Sequence, residues 1–179
     1  MSDGQNNRSN RLRQGASRAA LGLGLVLGLS LLAPSLRGQA NNWSWVLPTE
    51  IYQNLDFSER AGIDRARQAY QRAEEAERRR TAVNDLIPLY RGAAAEWKKF
   101  QLQYELTASP TISAYVLFMQ GMSLQGARDR NTAIKAYTEL LDYFLDERWI
   151  STAAHYQIGQ AHFDNGDLRK AQSVFLELI

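Results

Sequence analysis

His155 and His162 are the only histidines of the 179-residue chain, which has no cysteine, so a metal centre or nucleophile built on nitrogen or sulfur would have to start from them. Seven residues apart on a helix, they stand two turns apart along one face, whereas a pair gripping one ion wants a spacing of about three or four. No acidic pair shares that face, and the spacing predicts imidazoles packed between helices. The run Asp164-Asn165-Gly166-Asp167 opens like a calcium loop, but Phe175 stands where the closing bidentate acid belongs. It reads as a hairpin turn with a helix N-cap. The chain has no G-x-S-x-G, phosphate loop or G-x-G-x-x-G, and the glycines between Leu21 and Leu29 belong to an apolar leader. The sequence therefore predicts no catalytic residue, metal or cofactor.

Charge narrows the class further. The run Arg78-Arg79-Arg80 follows Glu74, Glu75 and Glu77 on one predicted helix, where Glu74 with Arg78 and Glu75 with Arg79 make i to i+4 pairs of a solvated face. The formal net charge is +2, but residues 1–40 contribute five arginines and one aspartate. The remainder holds 16 basic and 18 acidic residues, or −2, which offers no electrostatic footprint for nucleic acid.

Residues 1–18 are polar and carry Arg8, Arg11, Arg13 and Arg18, Ala19 to Ala33 is almost unbrokenly apolar, and Pro34 and Gly38-Gln39-Ala40 follow. This is the order of a secretory signal peptide over 1–40, with cleavage expected after Ala40. The apolar run of fifteen residues is shorter than the roughly twenty of a spanning helix. The alternative is an uncleaved signal anchor, in which the leader makes the only membrane contact. No cysteine follows the run, which excludes a lipoprotein. The expected location is exported, periplasmic or associated with the cell envelope.

Residues 41–57, with Trp43, Trp45 and Pro48, read as an extended lead-in. Helical periodicity starts at Ser58, a candidate N-cap followed by Glu59. Ile63, Ala66, Tyr70 and Ala73 make a thin apolar stripe on a long charged helix that protrudes or pairs with something. Val83, Ile87, Tyr90, Ala94, Trp97, Gln101 and Tyr104 form a heptad seam, in which Pro88 predicts a break near Asp85 to Pro88. Segment 58–108 thus holds N-terminal helices, closed by Ser109-Pro110. Two helical hairpins follow over 109–150 and 151–179, with Asn131 and Asp167 as N-caps and Gly126 and Gly166 in the turns. No segment alternates as a strand would.

The two hairpins are one unit written twice. Leu117, Gln120, Gly121, Leu124, Ala133 and Tyr137 recur in type and spacing as His155, Ile158, Gly159, His162, Ala171 and Phe175. The order is W-x-x-L-G-x-x-Y followed by A-x-x-x-F, and from Ala114 to Ile179 the chain resembles the tetratricopeptide repeat family. Ala93, Trp97, Phe100 and Tyr104 suggest a third, degenerate copy, with no glycine-bearing first helix before it. Gly121 to Gly159 is 38 residues, against roughly 34 in the ordinary repeat, and the extra residues are expected in the connection around Leu145 to Ile150. Such long connections resemble repeats of bacterial periplasmic and outer-membrane assembly proteins.

The resemblance implies an all-α fold of antiparallel helical hairpins stacked as a solenoid. It places Gly121, Ala133, Tyr137, Gly159, Ala171 and Phe175 in the packing between helices. It also implies a groove for a protein or peptide partner, lined by the first helix of each hairpin. By register its residues are Tyr115, Phe118, Met122 and Gln125 in one copy and Ala153, Tyr156, Gln160 and Phe163 in the next. The lining is aromatic and polarizable, which suits an apolar helix or extended peptide. The expected function is an exported scaffold for protein binding. The alternatives are a homo-oligomer joined by a coiled coil over Ser58 to Arg80, and the non-catalytic N-terminal part of a longer enzyme or sensor. Because the repeat pattern stops within its second helix, the reading frame is expected to continue or another chain to cover Val174, Phe175, Leu178 and Ile179.

Overall fold

The computed structural model describes residues 47–178, and every regular element among them is an α-helix: α1 (Thr49–Gln53), α2 (Phe57–Arg78), α3 (Val83–Tyr104), α4 (Pro110–Gly126), α5 (Arg130–Phe144), α6 (Arg148–Asp164) and α7 (Leu168–Leu176). The leader and the Ala40 cleavage position lie outside the described residues, as do Trp43, Trp45 and Ile179. From α2 onward each helix packs on the next, and α4 also touches α6. Antiparallel hairpins α2/α3, α4/α5 and α6/α7 are thereby stacked as a tetratricopeptide-like solenoid.

Local chemistry sets where each helix starts. Part of the segment read as extended is helical: Pro48, with φ −52°, precedes α1, and its carbonyl accepts from the Ile51 and Tyr52 amides at 3.0 and 3.1 Å. The α2 cap is Asp56 rather than Ser58. Asp56 Oδ1 accepts from the Glu59 amide at 2.7 Å while Glu59 Oε2 accepts from the Asp56 amide at 3.2 Å, a reciprocal capping box. The bond from the Glu59 amide foremost, and then that from the Ser58 hydroxyl, hold the Asp56 carboxyl below its ordinary pKa. Ser58 lies inside the first turn, and its Oγ donates to Asp56 at 2.8 Å. At α5 the cap is Asp129, accepting from the Thr132 amide at 3.3 Å, and Asn131 falls inside the helix. Asp167 occupies the N-cap position of α7 without a side-chain cap bond.

One turn closes all three hairpins. Arg80, Arg128 and Gly166 have φ of 58°, 61° and 82°, each just past the C-cap of a first helix. At each turn the next two amides fold back onto the last helical turn: Arg80 to Glu77 and Thr81 to Ala76, Arg128 to Gln125 and Asp129 to Leu124, Gly166 to Phe163 and Asp167 to His162. This is the Schellman geometry. The break between α2 and α3 therefore lies at Arg79 to Ala82, earlier than Pro88 suggested. Pro88 sits inside α3, where it deprives the Asn84 carbonyl of a donor, and exposed Asn84 leaves that carbonyl to water. Gly126 is not the turn residue. It is the last residue of α4, and a Cβ there would come within 2.6 Å of the Tyr90 ring.

Equivalent starts, Pro110 and Arg148, are 38 residues apart, yet the connection before α6 is only Leu145 to Glu147. The extra residues are helix: α4 and α6 have 17 residues each and α5 has 15. Counted back seven from each turn residue stand Gly121, Gly159 and, in the first hairpin, fully buried Ala73. In that count the position of Tyr137 and Phe175 falls on exposed Leu89, next to Tyr90, which packs edge-on to Tyr70 at 5.8 Å, so the first hairpin carries the turn and the small residue of the pattern but not its aromatic. The α2 stripe Ile63, Ala66, Tyr70 and Ala73 is buried, with α3 as the main neighbour of its helix. Of the heptad seam, Tyr90, Ala94, Trp97 and Tyr104 are buried while Val83 is exposed; Trp97 meets Tyr115 of α4 edge-on at 5.6 Å.

Candidate functional site

The residues assigned to the first-helix groove divide into a buried and an accessible set. Tyr115, Phe118 and Ala153 are buried, so these three cannot offer an open surface. Tyr115 is covered by Trp97 of α3 and by Arg67 of α2: the Arg67 guanidinium lies 5.5 Å from the Tyr115 ring centroid and its Nε donates to the Tyr115 hydroxyl at 3.1 Å. Arg67 also lies over the ring of Tyr52, 5.3 Å away, whose hydroxyl donates to Asp64 at 2.8 Å. Burial pushes the Tyr115 hydroxyl's pKa up, and Arg67 partly opposes it.

Met122 and Gln125 on α4, and Tyr156, Gln160 and Phe163 on α6, remain accessible to different degrees. Several are fixed from behind. Tyr137 donates to Gln125 Oε1 at 3.1 Å, Gln160 Nε2 donates to Asp164 at 3.0 Å, and the Tyr156 ring packs against that of Phe175 at 5.7 Å, tilted by 41°. Arg130 adds a 4.0 Å ion pair to Asp164, and Asn165 Nδ2 donates to Asn131 at 3.2 Å, tying successive hairpins together. Phe163 is the most open aromatic of the set, at 37 % exposure.

Gly121, Ala133, Tyr137, Gly159 and Ala171 are buried, and Phe175 is half-buried against Gly159. The histidines are partly buried on α6: His155 Nε2 is 3.7 Å from Glu177, and His162 Nδ1 is 3.6 Å from Asp167, too long for hydrogen bonds. The Asp164 to Asp167 run is the Schellman turn, with Asp164 engaged by Gln160 and Arg130. Arg79 pairs with Glu75 at 3.7 Å on the exposed face of α2.

Residues 115–144 match the tetratricopeptide repeat family model. The match supports membership of the tetratricopeptide family and coincides with most of α4 and all of α5. It falls on the first of the two sequence copies, although the second follows the pattern more closely residue by residue. No curated protein and no solved structure gives a match.

Two features escape a reading of the tetratricopeptide pattern. One is a half-buried carboxylate: Glu74 has its pKa pushed up to about 7, chiefly by burial, with Arg78 opposing and Glu77 adding to the rise. Its neighbours Tyr70 and Tyr90 are held far above the ordinary tyrosine value by burial, and Tyr90 donates to Glu77. The other is a cavity of about 310 Å³ lined from α3, α4 and α5, with Phe100, Tyr104, Tyr143 and Phe144 among its walls. Its residues are scattered over three helices and the connection between α3 and α4, and no single-helix periodicity marks them.

Proposed function

We propose that this chain is an exported, non-catalytic tetratricopeptide-type scaffold that binds a protein partner across α4 and α6. The observation that carries the reading is the family match on stacked hairpins whose first helices keep Met122, Gln125, Tyr156, Gln160 and Phe163 accessible. The lining mixes a thioether, two aromatic rings and two amides, which favours the apolar face of a helix or an extended peptide with amide contacts at its edge. The stripe on α2 is buried within the chain, which leaves a coiled-coil oligomer without its seam. Export rests on the basic, apolar and small-residue order of residues 1–40. No described helix is long and apolar enough to cross a membrane.

Photo-crosslinking in cells tests the surface. A photoreactive residue at Met122, Gln160 or Phe163 is expected to give a discrete protein adduct that one at exposed Lys135 or Thr138 of α5 does not. The same adducts from all five positions, or none from the first three, would refute the surface. Fractionation with mass spectrometry of the N-terminus tests export. A chain starting at Asn41 outside the inner membrane is expected, and an intact cytoplasmic chain would exclude it.

A further inference from the structure

The cavity between the second helices α3 and α5 has the composition of a receptor for a cation. Its floor is Val116 and Leu117 of α4, and its walls are Phe100 and Tyr104 of α3 and Tyr143 and Phe144 of α5. Two carboxylates, Glu105 and Glu139, line it together with Gln101 and Ser113, and no lysine or arginine does. Rings present negative faces to a cation, and a carboxylate within reach of the same point adds a charge-assisted hydrogen bond.

Neighbouring groups preset one of the carboxylates. Lys98 is outside the lining, and its ammonium donates to Gln101 Oε1 at 2.9 Å, leaving the Gln101 Nε2 to donate across the gap to Glu139 Oε1 at 3.1 Å. This chain of bonds joins α3 to α5 and holds the Glu139 carboxylate at the wall, with Oε2 outside the Gln101 bond. Glu105 is exposed at the rim. Tyr143 is 76 % exposed although it lines the cavity, so an occupant would cover most of a large ring that water now solvates.

We propose that this cavity binds an arginine side chain of a protein partner. Its volume, about 310 Å³, is at the small end of ligand pockets, enough for one long side chain and its backbone. A planar guanidinium stacks on ring faces and forks onto a carboxylate, whereas an ammonium is a more strongly hydrated point charge that gives up its water less readily. The site shares no residue with the α4/α6 surface and stands or falls independently of it.

The test titrates the full chain with acetyl-Ala-Arg-Ala-amide at low salt while following backbone amide resonances. Saturable shifts are expected at Gln101, Ser113, Leu117, Glu139 and Tyr143. The isosteric citrulline peptide, which lacks the charge, is expected to give none, and the lysine peptide a response several-fold weaker. Glu139→Gln and Tyr143→Ala should each weaken the arginine peptide by roughly tenfold. Both positions are partly or largely solvent-facing, and unchanged circular dichroism would certify the variants as folded. Equal shifts from the citrulline or lysine peptide, or shifts spread over acidic surfaces remote from the cavity, would overturn the assignment.

Discussion

Gly121 stands so close to Tyr137 that a Cβ on the glycine would lie inside the van der Waals envelope of the ring, and Gly159 bears the same relation to Phe175. In both hairpins the second helix sends an aromatic ring onto bare backbone of the first. The ring fills the space a side chain would take, which is why glycine recurs at this place.

Gly159→Leu is accordingly expected to lower stability by about 1 to 3 kcal/mol, and Ala171→Leu, at a buried contact of the same hairpin, by a similar amount. Gln172→Leu, one residue on and exposed, should change it by less than about 0.5 kcal/mol. Thermal unfolding of the three variants decides it. Equal midpoints would contradict the assigned register.

The hairpin turns give a prediction of opposite sign. Arg80 and Arg128 hold the left-handed conformation that Gly166 holds in the last hairpin. A side chain there costs roughly 1 to 2 kcal/mol, part of which glycine's larger loss of backbone entropy offsets. Arg128→Gly should therefore raise stability by up to about 1 kcal/mol, and Arg128→Val should lower it, in denaturant unfolding. Stabilisation by valine would exclude the turn conformation as the cause.

These residues show what was legible in sequence. Gly121 and Gly159 announced themselves because a close helix crossing admits little else, and the same small-then-aromatic spacing set the fold class. Of the three turns only that at Gly166 did, because Arg80 and Arg128 adopt what sequence rules reserve for glycine and asparagine. Pro88 misdirected the boundary, since a proline in the second turn of an exposed helix start costs one carbonyl that water can serve. Of the residues assigned to the groove, Tyr115 is buried with Arg67, 48 residues earlier, against it, and no local pattern encodes that contact. The α3/α5 cavity was invisible for the same reason: Gln101 and Glu139 meet across 38 residues.

Glu74 predicts a pH dependence. Its pKa rises from the ordinary 4.5 to about 7 on folding. Between those values the native chain binds more protons than the unfolded one, so this group's contribution makes stability fall as pH rises from about 4.5 to 7, with the full penalty present above 7. With the carboxylate about half exposed, solvent screening reduces the penalty to about 1 kcal/mol. Glu74→Gln should flatten the profile and gain about that much at pH 8, measured by denaturant unfolding across the range. A variant whose profile parallels the parent's would rule Glu74 out.

Arg67 is the last and most specific. Its guanidinium lies 5.3 Å from the Tyr52 ring centroid and 5.5 Å from that of Tyr115, and its Nε donates to the Tyr115 hydroxyl, so one side chain joins the α1 turn, α2 and α4. Arg67→Lys keeps the charge but loses the planar group that stacks on both rings, at an expected cost of about 1 kcal/mol. Because α1 is a five-residue helix, the loss should appear first in its own opening equilibrium. Amide exchange at Tyr52 and Asn54, whose N–H groups bond to Pro48 and Glu50, should quicken roughly fivefold, while Leu140 and Ile158 in the later hairpins stay unchanged. If exchange at Tyr52 is unaltered, α1 is held by the buried side chains of Leu47 and Leu55 and by Arg60, whose Nη2 donates to the Gln53 and Leu55 carbonyls.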